Sequence, residues 1–342
     1  MSAMDVAAWL DGLGMRAAER QGSTALDSAP DAPELDDPQT ISPELLNELR
    51  ADLEATAAWC IASVPAAMRP LRLPKSRLAD LSRCERMTVA KADAPSFDDD
   101  ISPARFGGIA LDRFVVHQLV AGRVLDPVTE LRGALIAEGE WAALDYLDGL
   151  SDGEAQVALW PLVGAVTDAW SGIEAEWVPR TQSAAMLALA DGAVICSGLL
   201  DVEFGGQVAG RPSALVEVKS GKPAQAHADE VYLYALLVSL RDGVAPAEVA
   251  RWYPGGGPVA VPVSIGMVES AARRLSDSIE QWGSLRAGRP AEERPGWWCR
   301  FCPAADECPS ARVDLPVDPD ELADELAGGF GAAESESEDD DA

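Results

Sequence analysis

Between residues 174 and 221 the chain is written in short apolar segments, EAEWVPR, SAAMLALA, AVICSGLLDVEFG and SALVEVKSG, broken by Gly, Asp or Pro. Segments so short and so punctuated read as strands. On either side the spacing is helical. Residues 1–24 place Val6, Trp9, Leu10 and Leu13 on one helical stripe, and 43–63 form a second helix with Ser42 as its N-cap before Pro43. Further helices are expected over 101–122, opening after its glycines and closing at Gly122, and over 134–149 and 154–170. HADEVYLYALLVSLRDG returns to a helix ending at Gly243, residues 249–266 suggest two strands around a GGG turn, and 266–287 a long amphipathic helix. Helices, a run of strands, a helix, more strands and a helix make an α/β fold with a mixed central sheet flanked by helices.

Three regions are expected. Residues 1–68 form a helical N-terminal part with a Pro- and Asp-rich linker over 27–43, 69–312 the main domain, and 313–342 a disordered tail. The tail carries twelve acids and no base from Asp314 onward. The net charge of −30 argues against a uniformly basic surface that would coat nucleic acid. No apolar run approaches the roughly 20 residues a membrane span needs. The acid-bearing start MSAMDVAAWLDGLG does not read as an export signal, so a cytoplasmic protein with reduced cysteines is expected.

Two features carry chemistry. In ALVEVKSG, alternation along a strand puts Glu217 and Lys219 on one face while Val216 and Val218 point into the opposite layer. Asp201 follows an apolar pair in the preceding segment, so neighbouring strands would bring Asp201, Glu217 and Lys219 to one spot. Adjacent carboxylates repel unless a cation lies between them, and hard oxygen donors select Mg²⁺ or Mn²⁺. A lysine beside them would orient water and stabilise charge developing on a phosphate. A lone E-x-K also occurs by accident, as a cross-face pair on an exposed edge strand.

The second feature is GWWCRFCPAADECPS, which spaces Cys299, Cys302 and Cys308 as C-x2-C-x5-C. Three thiols so close read as a metal or cluster site in want of a fourth ligand, with zinc and an iron–sulfur cluster both compatible. Cys60 and Cys196 lie in apolar runs and read as core. Cys84 lies in the polar, basic LSRCERM and is the candidate fourth.

An E-x-K strand after an Asp strand, a helix carrying YALL and a closing C-x2-C-x5-C together resemble the RecB-like branch of the PD-(D/E)XK nucleases. The resemblance covers about residues 76–310. It is nearest to the iron–sulfur members, the CRISPR-associated single-domain exonucleases and the nuclease domain of AddB. It implies a restriction-endonuclease-like core in which Cys84, Cys299, Cys302 and Cys308 hold a [4Fe–4S] cluster. Such a staple would close a loop of more than two hundred residues. It further implies Asp201, Glu217 and the Val218 carbonyl as ligands of Mg²⁺ or Mn²⁺, with Lys219 as catalytic lysine. His117 in FGGIALDRFVVHQL would be a metal-ligating histidine, although read alone it is an ordinary helix residue. The family's Gln-x3-Tyr corresponds to Glu230 and Tyr234, one turn apart on the next helix. Leu200 stands where the superfamily name has Pro, Glu230 replaces Gln, and the stretch from glycines to histidine is longer than usual.

The expected activity is metal-dependent hydrolysis of DNA, as an exonuclease favouring single strands or ends, in DNA repair, recombination or CRISPR spacer processing. A helicase or CRISPR adaptation proteins would act in trans, since no P-loop motif is present. DNA would be met by a local basic strip, for which Arg69, Arg72, Lys75, Arg77, Arg83, Arg86 and Lys91, with Arg273, Arg274, Arg286, Arg289, Arg294 and Arg300, are candidates. Their ordinary reading is solvated helix faces. A different class, a catalytically weak iron–sulfur DNA-binding or assembly subunit, fits the Glu230 departure, and a zinc-ribbon adaptor with an incidental E-x-K is a third reading.

Overall fold

The computed structural model describes residues 5–23, 41–94, 101–206, 209–223 and 225–312; the expected linker and acidic tail lie largely or wholly outside them. In chain order the elements are α1 (Val6–Ser23), α2 (Pro43–Ser63), β1 (Leu71–Pro74), α3 (Lys75–Arg83), α4 (Glu85–Asp93), α5 (Pro103–Ala121) and α6 (Pro127–Glu138). There follow α7 (Trp141–Gly149), α8 (Asp152–Trp170), β2 (Arg180–Leu189), β3 (Val194–Gly206) and β4 (Arg211–Val218). The last are α9 (Gln225–Asp242), β5 (Glu248–Trp252), β6 (Val259–Pro262) and α10 (Ile265–Arg286).

The cap chemistry read in the sequence holds at α2, where the Ser42 hydroxyl accepts from the Leu45 N–H. Other boundaries differ. The helix expected to open after the glycines opens before them, because Ser102 caps it and Pro103 starts it. The single helix expected over 134–149 is two, since Gly139 adopts the left-handed conformation (φ +74°) that ends α6. EAEWVPR is mostly a short 3₁₀ turn, and pairing begins at Arg180. LRLP, too short to register as a pattern, forms β1.

All six strands share one mixed sheet in the order β1-β3-β4-β5-β6, with β2 on the remaining edge of β3. β1/β3 and β4/β5 are parallel, and the other pairs antiparallel. Helices cover both faces. One core packs α2, α9 and α10, through Leu53, Leu236 and Ile279, against Leu187, Cys196 and Val249 of the sheet. The other packs α1 and α5–α8, through Trp9, Phe114 and Trp170, against Phe204, Val216 and Trp252. The N-terminal helices are therefore built into these cores, α1 on one face and α2 on the other. The Trp9 indole N–H donates to Glu248 Oε2 at 2.7 Å and Arg16 to Oε1 at 2.8 Å, fastening α1 to the start of β5. Among the described residues no helix is long and apolar enough to cross a membrane.

Candidate active site

The site lies where two strands end. β2 runs along one edge of β3, from Arg180↔Glu203 to Leu189↔Val194. The other edge is shared. β1 lies parallel beside Val194–Ser197, and β4 runs antiparallel from Gly206 to Val202. Both therefore run toward residues 198–201 of β3 and stop, leaving a gap. Backbone groups exposed by a parting of strands need partners. Here side chains supply them: the Val218 N–H donates to Asp201 Oδ2 at 2.7 Å, and the Tyr234 hydroxyl donates to the Leu199 carbonyl at 2.5 Å. Tyr234 reaches it across Gly198, where any Cβ would stand 2.6 Å from the ring.

The first residue after each strand is a lysine, Lys75 after β1 and Lys219 after β4. Their ammonium groups and two carboxylates form a closed ring. Glu217 Oε1 accepts from Lys75 Nζ at 2.5 Å and Lys219 Nζ at 3.0 Å, while Glu230 Oε2 lies 3.0 Å from Lys75 and 2.7 Å from Lys219. Burial works against the charge on Lys75, Lys219 and Glu230. For Glu230 the two lysines outweigh it and hold the carboxyl down at about 2. On Lys75 and Lys219 burial is again the largest influence and opposes the charge, but Glu217 and Glu230 together outweigh it, so both stay protonated. Glu217 Oε2 points elsewhere, buried and without a hydrogen-bond partner.

On the other side α5 brings Asp112. Burial, and next the Glu217 charge, push its carboxyl up to about 7. Asp201 is raised well above the usual carboxylate range by burial, then by Glu217 and Asp112. Three acids thus share a pocket in which they cannot all ionise without a counter-charge. Gly108, one turn before Asp112, allows the approach, since a Cβ there would lie 3.3 Å from the Ser220 hydroxyl beyond β4.

Asp201, Glu217, Val218, Lys219, Glu230 and Tyr234 are accordingly brought together as the sequence led one to expect. His117 is not. It lies five residues beyond Asp112, about 140° further round the helix. Its Nε2 stands 3.1 Å from Glu130 Oε2 beside a separate cavity of about 170 Å³ lined also by Arg113 and Glu138. The α5 residue that faces Glu217 and Asp201 is Asp112. Asp112 was missed from sequence, and Lys75 was named there only as one of the basic strip. The available signal for Lys75 was a lysine in the first turn of a helix, against the macrodipole.

Cys84, at the break between α3 and α4, lines one narrow cavity with Cys299, Cys302 and Cys308. Burial raises the Cys302 thiol first, and its neighbours Cys84, Cys299 and Cys308 add to this. Glu85 ties the two ends of this region together. It accepts from Arg289 at 2.7 and 3.0 Å, from Gln281 at 2.6 Å and from the Glu292 N–H at 2.8 Å. Burial opposes its ionisation, but these bonds, led by Arg289, keep its carboxyl at about 2. Cys60 and Cys196 are core residues, the second with its thiol raised to about 12 by burial. Among the described residues no group of three His, Cys, Asp or Glu side chains is arranged to hold a metal ion as it lies.

The candidate basic strip is largely engaged within the chain. Lys91 pairs with Asp80, Arg86 with Glu293, Arg274 with Asp229, Arg286 with Asp93, Arg289 with Glu85 and Arg294 with Glu292. Arg69 caps carbonyls of Ile61 and Val64, and Arg77 and Arg286 both lie over the Trp282 ring.

No family model matches the chain, and no curated protein matches it. Among solved structures it is similar to a candidate exonuclease from Eubacterium rectale, with 12% identity over 75% of this chain and 94% of that one and a TM-score of 0.48. It is also similar to SSO0001, with 13% identity over 68% of this chain and 94% of that one and a TM-score of 0.29. Neither likeness is close enough to bear on the chemistry of the site. What the chain itself presents is a mixed, helix-flanked sheet with four carboxylates and two lysines gathered where two of its strands end.

Proposed function

We propose that the chain is a divalent-metal-dependent DNA nuclease of the RecB-like PD-(D/E)XK type, acting as an exonuclease on single strands or ends. The observation that supports it best is the trio Asp112, Asp201 and Glu217. Two of its carboxyls are forced toward the neutral form, and Glu217 Oε2 is buried with nothing to accept from. An all-oxygen donor set suits Mg²⁺ or Mn²⁺, which would polarise the phosphate and activate the attacking water. Asp112, Asp201 and Glu217 would hold the ion, with the Val218 carbonyl as a further oxygen. Lys219 carries a proton at Nζ beside Glu217 and can donate to a phosphate oxygen as charge builds there. Glu230 orients Lys219, and Tyr234 fixes the strand gap by holding the Leu199 carbonyl. The repair, recombination or CRISPR setting and a helicase or adaptation partner in trans belong to the same reading.

The four clustered cysteines fit a [4Fe–4S] cluster in donor type and number. Cys84 and Cys299 are buried while Cys302 and Cys308 are partly exposed.

A second reading, a catalytically weak iron–sulfur DNA-binding or assembly subunit, is favoured by one observation: both lysines are engaged by Glu217 and Glu230. One experiment separates the two. Anaerobically purified protein is incubated with end-labelled single- and double-stranded DNA and Mn²⁺ or Mg²⁺, beside Lys219→Ala. Metal-dependent degradation reduced by 10²-fold or more in the variant is expected. A wild-type protein that carries iron yet cuts no substrate would establish the scaffold reading instead.

A further inference from the structure

Lys75 faces two ways. Its ammonium belongs to the charged ring at the strand gap and lies 5.2 Å from the centre of the Tyr234 ring, and its stem lines a cleft between α3, α9 and α10. Glu230 is shared in the same way. The cleft is about 430 Å³. That is near the low end for small-molecule sites, roughly 300–1,000 Å³, and has room for one nucleoside. It is lined by apolar Leu78, Leu233 and Leu275 and by polar groups of both signs, Arg83 and Ser278 beside Asp277 and the Arg274–Asp229 pair. A flat apolar face with hydrogen-bonding edges is what a nucleobase presents. At the end nearest the carboxylates stands a cation, where a phosphate joined to that nucleoside would fall.

The placement of Lys75 needs such a reason. An ammonium at the start of a helix opposes the macrodipole, and this one is three-quarters buried. As an interior counter-ion to Glu217 alone it would duplicate Lys219. Once Glu217 is engaged elsewhere, Lys75 is left paired with Glu230 at the mouth of the cleft, facing the space between cleft and carboxylates.

We infer that this cleft is a subsite for the nucleoside next to the scissile phosphate of an unpaired DNA strand, with Lys75 as the phosphate-binding residue that joins it to the carboxylate centre. The inference rests on the nuclease reading above and gives it a substrate class. An unpaired strand can place one base in the cleft; a duplex must open first.

The test uses the full-length protein and two variants, Ser278→Trp, which fills the cleft from its rim, and Lys75→Met. The Ser278 hydroxyl bonds only to the Arg274 carbonyl one turn back in α10, so its replacement leaves the core untouched, and melting temperatures check both folds. Binding of fluorescein-labelled oligothymidylate is measured with Ca²⁺ in place of Mg²⁺, and KM and kcat on single-stranded DNA with Mn²⁺. Both variants should bind at least 10-fold more weakly, Ser278→Trp chiefly raising KM and Lys75→Met also lowering kcat. Oligothymidylate affinity and KM unchanged in Ser278→Trp, or no binding by the wild type, overturns the subsite. Wild-type turnover of bis(p-nitrophenyl) phosphate with Mn²⁺ judges the nuclease reading separately. Turnover with an indifferent Ser278→Trp leaves the nuclease and removes the subsite. Oligothymidylate binding lost in Ser278→Trp, without turnover of ester or DNA, leaves the subsite and removes the nuclease.

Discussion

Asp112 is the residue whose surroundings make the most specific demand. Burial and Glu217 raise its carboxyl to about 7, from an ordinary 3.8. A folded-state pKa above the unfolded one means that the folded chain holds this proton more tightly, so ionisation costs stability as pH rises from about 4 through about 7. In the presence of a chelator, Asp112→Asn should therefore be more stable than wild type at pH 7.5 by about 1–3 kcal/mol, with the gain vanishing near pH 4. The same variant should lose Mn²⁺-dependent cleavage by 10²-fold or more. Thermal melts across pH, paired with the DNA assay, check both halves; a destabilised but active variant would place Asp112 outside the centre. Asp201, Glu217 and Lys219 were legible because strand alternation is a local rule that places i and i+2 together. Asp112 and Lys75 were not, because what brings them in is tertiary: the approach of α5 at Gly108 and the ending of β1 opposite β4. His117 drew the eye as one of two histidines, yet the helical period turns it away from the face that carries Asp112.

At the level of elements, long periodic helices and alternating strands were readable, and the four-residue β1 was not, since four residues carry too little pattern. β1 is held by what lies over it. α2 and α10 approach closely where Gly283 faces Cys60. A Cβ at 283 would fall 1.8 Å from the Cys60 sulfur and 3.5 Å from Leu71 of β1. The Cys60 thiol meanwhile donates to the Ile279 carbonyl at 3.3 Å. Gly283→Ala should accordingly destabilise the protein by about 2–4 kcal/mol despite the higher helix propensity of alanine. Urea unfolding measures it. Adding Cys60→Ala should recover at least a third of the loss, because it removes the atom in the way; a strictly additive double variant would mean that the crowding lies elsewhere.

Over the whole molecule, the sheet separates two cores, and at the site helices from both faces, α5 from one and α9 from the other, reach the same strand ends. The cysteine cavity is a second junction, between the α3–α4 break and the segment after α10. If it holds a [4Fe–4S] cluster, Cys302→Ser should lower iron content and absorbance near 400 nm and reduce the melting temperature by several degrees. A colourless wild type with bound zinc would assign the cavity to zinc. Neither junction was visible as a contact in the sequence, where the partners stand far apart, although the cysteine spacing pointed to the second. That distance has a consequence during synthesis. The residues that meet at the strand gap run from Lys75 to Tyr234, and the gap itself needs β1, β3 and β4 in place, with β5 behind β4. A chain leaving the ribosome therefore cannot bring Lys75 to Glu217, Lys219 and Glu230 until residues as far as Tyr234 have emerged. On the nuclease reading, a copy that stops short of that point has nothing assembled with which to act on the nucleic acid around it.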